Sequence, residues 1–370
     1  MNTDRLQIML EGKPCYEIVF EKSFEKLKEE LLALGAKDRK ICVITDSNVN
    51  AIYGDEILQL LEAQCRLAVR FVIPAGEESK NLGKVQEAYR FLIGEKFDRK
   101  DLLLALGGGV VGDLTGFVAA TYLRGVDFVQ IPTTLLAQAD SSIGGKTGVD
   151  FEGYKNMVGA FKMPKLVYMN VSALNTLDDR QFYAGFAEIM KHGLIKDEAF
   201  YLWLLERMYE ICERDADVLQ EMVYRSCLIK KEVVEKDPLE KGERALLNFG
   251  HTIGHAIEKA KDFSLYHGEC VALGAVAAAF LSYKKDRISM EEYYEIRDMF
   301  VPFNLPISVD HIDPAEIVRL TKSDKKMEAG KIKFVLLEGI GKAVVDTTVT
   351  EQELLDAVNE IYFSEEDAHE

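Results

Sequence analysis

The sequence predicts an α/β protein in which a doubly wound, mainly parallel sheet domain precedes a mostly α-helical domain. Three observations predict it. In the first half, short apolar runs alternate with segments of helical periodicity, as in parallel strands joined by crossover helices. In the second half, long helical patterns follow one another. A glycine-rich turn between a strand pattern and a helix pattern makes the first domain Rossmann-like.

The first half gives this alternation in order. Lys40 to Asp46 is an apolar run that ends at an acidic turn, which predicts a buried strand. Two later strand patterns end at Pro74 and Pro132, because proline cannot donate to a sheet ladder. The predicted strands are 40–46, 68–73, 101–106 and 127–131, and the predicted helices are 51–64 and 82–97.

The character of the sequence changes between Asn175 and Arg180. A chain of 370 residues is too long for one ordinary core, so we predict a nucleotide-binding domain at 1–180 and a metal- and substrate-binding helical domain at 181–370. We expect the active site in the cleft between them. The predicted helices are 181–196, 198–213, 216–236, 250–261, 268–285 and 290–300, followed by strands at 333–337 and 342–346.

Composition narrows the functional class. A net charge of −17 argues against a nucleic-acid or membrane partner, which would require basic patches, but it allows a small anionic substrate. The six cysteines form no CxxC pair, so we expect buried reduced thiols and a cytoplasmic setting. The first residues lack a signal-peptide pattern, and the longest apolar run, Val271 to Leu281, is too short to cross a bilayer.

The glycine-rich turn fits the pattern G-x-G-x-x-G at Gly107, Gly109 and Gly112. There, backbone N–H groups at a helix N-terminus can cradle a pyrophosphate, and a tight turn without a ligand is the alternative. The usual ribose-binding acid ends the next strand, about twenty residues further on. Asp127 is near that distance but begins a strand, so Asp46, which ends an earlier strand, is the better candidate.

A second cluster, residues 132–156, combines glycines with hydroxyl side chains and lysines. Glycine lets the backbone approach a phosphate closely, and lysine supplies charge. The cluster therefore predicts phosphate binding, with a solvated loop as the alternative.

Three residues of the helical half suit one metal ion: Glu188, His251 and His267. Two imidazoles and one carboxylate leave a coordination position open, as in catalytic zinc sites. His255, four residues after His251, and His192, four after Glu188, are rival ligands on the same helix faces. An H-E-x-x-H protease is excluded, because threonine follows His251 where that motif needs its glutamate.

Taken together, these segments resemble 3-dehydroquinate synthases. The matching stretches keep the family's order and spacing from about residue 40 to 340, nearly the whole chain. They are 107–113, 122–125, 132–134, 140–147, 153–156, 187–191, 244–258, 267–269 and 324–326.

The resemblance implies a reaction on 3-deoxy-D-arabino-heptulosonate 7-phosphate in the shikimate pathway of aromatic amino acid biosynthesis. Bound NAD+ oxidises the C5 hydroxyl, the ketone acidifies the neighbouring C–H, and phosphate leaves by β-elimination. NADH reduces C5 again, and the ring opens and recloses by an intramolecular aldol step. The implied cofactors are NAD+ and one divalent metal, zinc or cobalt, in a homodimeric enzyme.

Family equivalence also implies roles for individual residues. Besides the three metal ligands, acid–base and catalytic roles fall to Glu240, His255, Lys146 and Asn156. Substrate contacts fall to Arg124, which in the family's dimers reaches in from a partner subunit, and to Asp140, Lys146, Asn156, Lys191, Lys230, Arg244, Asn248 and Lys325 (or Lys326). Cofactor contacts fall to Asp46, Glu77, Lys80, Gly108, Gly109, Val110, Asp113, Thr133, Thr134, Lys155 and Thr176.

One departure from the family pattern and three rivals remain. Asp178 and Asp179 stand where the family usually has a proline after Thr-Leu, beside the cofactor. Other sugar-phosphate cyclases, such as 2-deoxy-scyllo-inosose synthases, tend to replace Asp113 and alter the loop at 144–147. Metal-dependent polyol dehydrogenases need no cations for a phosphate and a carboxylate, so the basic residues in the predicted substrate set argue against them. A non-enzymatic nucleotide-binding regulator needs no metal ligands, so the three metal candidates argue against it.

Overall fold

The computed structural model describes residues 4–238, 240, 242–322, 327–328 and 331–363. It divides the chain into two compact units, Met1–Leu177 with Leu219–Lys231, and Asp178–Val218 with Glu232–Glu370. The division after Leu177 lies close to the predicted boundary, but the middle of a long second-half helix belongs to the first unit. There the ring of Tyr224 packs edge-on against Phe20, with centroids 5.4 Å apart.

The first unit is built on a seven-stranded sheet and a separate hairpin. Its strands are β1 Arg5–Leu10, β2 Lys13–Glu21, β3 Lys40–Asp46, β4 Leu67–Ile73, β5 Leu102–Gly107, β6 Asp127–Pro132, β7 Lys146–Phe151, β8 Tyr154–Phe161 and β9 Leu166–Asn170. The sheet order is β1-β2-β9-β6-β5-β3-β4, parallel except for the β1–β2 pair, while β7 and β8 form the antiparallel hairpin. Its helices are α1 Leu27–Ala33, α2 Ser47–Val49, α3 Asp55–Glu62, α4 Leu82–Gly94 and α5 Gly109–Thr121.

The strand order sets the place of a ligand site. From β3 the chain moves outward to β4, returns past β3 to β5, and continues to β6 on the other side. Doubly wound sheets bind ligands where the order reverses, beyond the carboxyl ends of the strands. Asp46 ends β3 and Gly107 ends β5, so both lie at this switch point.

Apolar packing on both faces explains the continuous apolar strand sequences. Along β3, Ile41 and Val43 pack into one core cluster, whereas Cys42 and Ile44 pack into another. Successive side chains of a strand point to opposite faces, so a strand covered on both sides must be apolar throughout. The prediction of a doubly wound, mainly parallel sheet is confirmed.

The second unit is mostly helical. Its helices are α6 Asp179–Lys196, α7 Glu198–Glu206, α8 Met208–Cys212, α9 Ala216–Lys236 (with its middle in the first unit), α10 His251–Ala260, α11 His267–Lys284, α12 Met290–Asp298, α13 Pro314–Lys322 and α14 Glu351–Ile361. Short strands follow at β10 Met327–Glu328, β11 Lys331–Ile332, β12 Phe334–Leu337 and β13 Ala343–Asp346. Among the helices of the described residues, none has both the length and the hydropathy of a membrane span.

Two glycines bring α11 against its neighbours. A Cβ on Gly268 would lie 1.8 Å from the carbonyl oxygen of Ala184 on α6. A Cβ on Gly274 would lie 1.8 Å from the carbonyl oxygen of Gly250, the residue before α10. Since such distances are impossible for real atoms, glycine is what lets these three helices pack in contact.

Some predictions differ from the structure. The helix expected at 198–213 is two helices, because α7 ends at Glu206 before α8 begins at Met208. The thiols of Cys42, Cys227 and Cys270 are buried, but those of Cys15, Cys65 and Cys212 are only half-buried, and all six cysteines are free.

Candidate active site

The glycine turn forms an open helix N-terminus at the switch point. Gly109 and Val110 begin α5, and its N-cap residue Gly108 supplies no side chain to the first N–H groups. Space for a Cβ is lacking: at Gly108 it would lie 2.9 Å from Thr134 Cγ2, and at Gly112 it would lie 2.7 Å from Gln130 Oε1. The first N–H groups of a helix and its dipole suit a pyrophosphate.

Other predicted cofactor residues lie at the ends of neighbouring strands. Asp46 Oδ1 accepts hydrogen bonds from the N–H groups of Asn48 and Val49, 2.8 and 3.0 Å away. Thr133, after β6, is buried, and its Oγ1 has no hydrogen-bond partner among the described residues. A buried polar atom without a partner is costly unless a ligand supplies one. NAD+ would supply one, so this edge of the sheet fits the cofactor.

Two further hydroxyl groups of this set, and the rejected candidate Asp127, have protein partners. Thr134 Oγ1 accepts a hydrogen bond from the N–H of Ala137 at 3.1 Å, and the hydroxyl groups of Tyr53 and Thr176 are hydrogen-bonded to each other at 3.1 Å. Asp127, rejected above as ribose ligand, begins β6 and pairs with Arg39 at 2.9 Å. Asp127 therefore lies at the amino ends of the parallel strands, whereas Asp46 lies at their carboxyl ends.

A buried ion pair lies beside the glycine turn. Lys80 Nζ is 2.7 Å from Asp113 Oδ2 and 3.9 Å from Glu77 Oε1. Burial alone would lower the pKa of Lys80, but Asp113 and Glu77 raise it, so its ammonium stays charged. Burial raises the pKa of Asp113 against the opposing effect of Lys80. Lys155 also interacts electrostatically with Glu77.

The predicted phosphate residues lie on the β7–β8 hairpin and near it. Lys146 is the first residue of β7, opposite Phe161 on β8. Asn156 lies on β8 beside Asp150 of β7, because its N–H donates to Asp150 Oδ1 at 2.7 Å. Four residues of strand therefore separate the backbones of Lys146 and Asn156, roughly 13 Å at ~3.3 Å per residue. Both side chains are exposed, as is Arg124.

Arg124 and the residue before it have left-handed backbones, with φ 65° for Arg124 and 50° for Leu123. Non-glycine residues adopt this region at a cost. This turn lies at the surface of the first unit, where the Arg124 side chain is exposed.

Two predicted substrate residues already pair with each other. Lys230, buried in the middle of α9, donates from Nζ to Asp140 Oδ1 at 2.6 Å and also to the Asp140 carbonyl oxygen. Because the ammonium is held and desolvated, it is preorganised for an anionic or hydroxyl group of a substrate.

The three metal candidates of the second unit converge on one oxygen atom. Glu188 Oε1 on α6 is 3.4 Å from Nε2 of His251, the first residue of α10. It is also 3.4 Å from Nε2 of His267, the first residue of α11. This oxygen is buried and accepts no hydrogen bond from any described residue. A cation bound between the three side chains would satisfy it, so the residues fit a divalent metal.

Contacts on the far side of each imidazole orient it. His251 Nδ1 is 3.0 Å from the Phe249 carbonyl oxygen, which leaves Nε2 as the ligand atom. His267 Nδ1 is 3.7 Å from Glu258 Oε2. Sequence reasoning missed Glu258, although its position seven residues after His251 on the same helix is a signal for a shared face.

Charge prepares this site for a cation. Burial alone would raise the pKa of Glu188, but Lys191 and the two histidines hold it well below its usual value. Burial and Lys191 lower the pKa of His251, so its ring is neutral. Burial opposes protonation of His267, yet Glu188 and Glu258 raise its pKa to about 9. A metal must therefore displace one proton, from His267.

Both rival histidines are close to this set. Ligand atoms of His251, His255 and His267 lie within 4.8 Å of one another, and the ring of His255 is 5.2 Å from that of His251. His192 is fully buried, and its ligand atom lies within 4.8 Å of a Glu188 oxygen. The metal set of Glu188, His251 and His267 therefore stays a prediction.

The remaining predicted residues of the second unit lie around α10. Lys191, buried on α6, donates to Glu188 Oε2. Asn248 donates to Glu240 Oε1 at 3.1 Å, which joins a predicted substrate ligand to a predicted acid–base group. Arg244 is buried and donates to the Pro238 carbonyl oxygen at 2.7 Å. Lys325 and its alternative Lys326 lie outside the described residues.

The departure at 178–179 leaves the helix start intact. Asp178 Oδ1 accepts a hydrogen bond from the N–H of Gln181 at 2.9 Å, so it caps α6. Aspartate is a preferred N-cap residue, which explains how the segment begins a helix without the proline.

Two family models match consecutive parts of the chain. The family model for the 3-dehydroquinate synthase N-terminal part matches residues 70–184, and that for the C-terminal part matches residues 185–327. The 3-dehydroquinate synthase of Acetivibrio thermocellus is 47% identical over 319 residues, which cover 86% of this chain and 89% of the relative.

Two solved structures share the fold. The 2-epi-5-epi-valiolone synthase of Streptomyces hygroscopicus subsp. jinggangensis, with NAD+ and Zn2+ bound, has a TM-score of 0.87 and 26% identity, covering 96% of this chain and 99% of that one. A 2-deoxy-scyllo-inosose synthase complexed with carbaglucose-6-phosphate, NAD+ and Co2+ has a TM-score of 0.85 and 23% identity over the same shares, so it compares in fold alone.

Proposed function

The chain belongs to the 3-dehydroquinate synthase family, and from that premise we propose that it converts 3-deoxy-D-arabino-heptulosonate 7-phosphate to 3-dehydroquinate and phosphate. The reaction makes it a carbon–oxygen lyase of the shikimate pathway. The observation that carries the proposal is the buried Glu188 oxygen 3.4 Å from a nitrogen of each of two histidines. A carboxylate with two imidazoles is a donor set of catalytic zinc sites.

Glu188, His251 and His267 would hold the metal, zinc or cobalt. A divalent metal supplies Lewis acidity, which lowers the pKa of a coordinated substrate hydroxyl. Glu258 and the Phe249 carbonyl keep the two imidazoles turned toward Glu188. Lys191 keeps Glu188 ionised, and therefore ready to bind a cation.

NAD+ would bind at the switch point of the sheet, with its pyrophosphate at the start of α5. When bound, it supplies a reversible hydride acceptor for the alcohol carbon. Asp46, at the end of β3, would accept a ribose hydroxyl, and the hydroxyl of Thr133 would gain a partner. The NAD+ and Zn2+ of the valiolone synthase, at 26% identity, support both assignments.

Substrate charges would be matched by a set of cations that no simple alcohol oxidation needs. Lys146 and Arg124 are exposed, as a phosphate site requires, and Asn156 on the same hairpin adds an amide. Lys230, Arg244 and Asn248 would take the carboxylate and hydroxyls. Glu240, paired with Asn248, and His255 would carry protons.

The phosphate and carboxylate contacts separate this function from a polyol dehydrogenase. The retained Asp113 and Gly144-Gly-Lys-Thr147 favour the dehydroquinate pattern over other sugar-phosphate cyclases. We also propose a cytoplasmic homodimer, in which the exposed Arg124 serves the partner's phosphate site. The six free thiols support a reducing compartment.

The test is turnover on the heptulosonate phosphate with a catalytic amount of NAD+. We expect one inorganic phosphate per substrate consumed and NADH that stays below the enzyme concentration. The Glu188→Gln variant should release no phosphate. Steady NADH release matched to substrate consumed would overturn the proposal in favour of a dehydrogenase.

A further inference from the structure

An ion pair outside the predicted ligand set connects two helices that carry metal candidates. Arg180, in the first turn of α6, faces Glu269, in the first turn of α11. Arg180 Nε donates to Glu269 Oε1 at 2.6 Å, and its Nη2 donates to Oε2 at 2.7 Å. Two parallel bonds between a guanidinium and a carboxylate fix orientation as well as distance.

Neighbouring groups hold this ion pair in place. The N–H of Tyr266 donates to Glu269 Oε2 at 2.7 Å, and the Arg180 guanidinium stacks 4.1 Å above the Tyr266 ring. Arg180 Nη2 also donates to the Ser264 carbonyl oxygen at 3.2 Å. The Glu269 side chain is only 11% exposed, so the ion pair is shielded from water on its carboxylate side.

We propose that Arg180 is a positioning residue for the metal centre: through Glu269 it holds the first residue of α11, His267, against the helix that carries Glu188. His267 lies between Tyr266 and Gly268, whose missing Cβ lets α11 approach the Ala184 carbonyl. The Arg180–Glu269 ion pair therefore lies where α6 packs against α11. This packing also sets the 3.4 Å distance from Glu188 to His267. This inference rests on the proposed metal site.

The test uses three variants of the full-length protein. Arg180→Gln removes the ion pair, and Arg180→Lys keeps the charge but not the two parallel bonds. Asp179→Asn is the matched control, because Asp179 is the adjacent residue and its ion pair is with Arg214, at 2.8 Å, and not with Glu269. Zn2+ affinity is measured by competition with a chelator, and ligand geometry is read from the visible absorption of the Co2+-substituted protein.

We expect Arg180→Gln to weaken Zn2+ binding about 10- to 100-fold, as substitutions of residues that support metal ligands typically do. We also expect it to shift the Co2+ spectrum. Arg180→Lys should recover part of both, and Asp179→Asn should match wild type. Wild-type affinity and spectrum in Arg180→Gln would overturn the inference, as would an equal effect in the control. If Arg180→Gln does not fold, Glu269→Gln decides by the same readouts. Failure of the wild-type protein to bind Zn2+ would instead contradict the proposed metal site.

Discussion

Glu188 illustrates how neighbours set the chemical state of one side chain. A carboxylate this deeply buried would ordinarily take up a proton, because desolvation disfavours its charge. Lys191 donates to one of its oxygens, which offsets that cost, while the other oxygen is left without a donor among the described residues. The protein therefore keeps an ionised oxygen pointed at two imidazoles.

We expect Glu188→Gln and His251→Asn to weaken Zn2+ binding by more than ~100-fold, because each removes a ligand rather than a supporting contact. His255→Asn is the matched control. The His255 ring is as close to the His251 ring as the His267 ring is, but the 3.4 Å contacts of Glu188 Oε1 are with His251 and His267. Bound Zn2+ can be measured after dialysis. Loss of metal in His255→Asn comparable to that in His251→Asn would contradict the assignment.

At the scale of elements, the β7–β8 hairpin presents polar side chains on a support outside the main sheet. Its strands pair with each other, and the N–H of Asp150 donates to the Lys80 carbonyl oxygen at 2.8 Å. The hairpin is therefore anchored beside the predicted cofactor residues, while Lys146 and Asn156 stay exposed.

We expect Lys146→Ala to weaken binding of the phosphate-bearing substrate by about 10- to 100-fold, as the loss of a charge-assisted hydrogen bond worth ~1.5–3 kcal/mol implies. Asn156→Gly should weaken it less, and glycine is the suitable replacement because φ is 52° at this position. NAD+ affinity, measured by titration calorimetry, should stay within a few-fold of wild type. If either variant lost NAD+ binding while substrate binding survived, the hairpin would belong to the cofactor site.

At the scale of the whole molecule, the two cofactors are assigned to different units. The pyrophosphate turn and its neighbours lie in the first unit, and the three metal ligands lie in the second. Each unit has its own buried core, so each site has its own structural support.

We therefore expect the protein to bind NAD+ after its metal is removed by chelation. The affinity should fall by less than about tenfold, which corresponds to under ~1.4 kcal/mol, because no metal ligand belongs to the unit that holds the cofactor residues. Calorimetric titration of the metal-free protein measures it, with the metal-restored protein as control. Complete loss of NAD+ binding without the metal would show that the cofactor site depends on it.

Local sequence patterns were enough to predict several core strands and the residue types at their ends. Periodicity and proline predicted β3 with its observed bounds and β4, β5 and β6 to within a residue or two, because a strand buried on both faces must be apolar along its whole length. The sequence did not predict β1, β2, β7, β8 and β9. The edge strand β1 and the β7–β8 hairpin carry mixed polar sequences, whereas β9 is a short buried strand of five residues between β2 and β6. The pairing of Glu188 with two distant histidines followed from ligand chemistry and from family likeness.

How these residues come together depends on tertiary packing. The distances from Glu188 to His251 and His267 depend on glycines that let three helices pack closely, and no local pattern encodes that contact. Glu258 acts through His267, and Arg180 acts through Glu269. In each pair the two residues lie on different helices, so these roles appear only when the helices are packed together. Local sequence fixes periodicity and end chemistry, whereas side chains from separate helices converge only through packing.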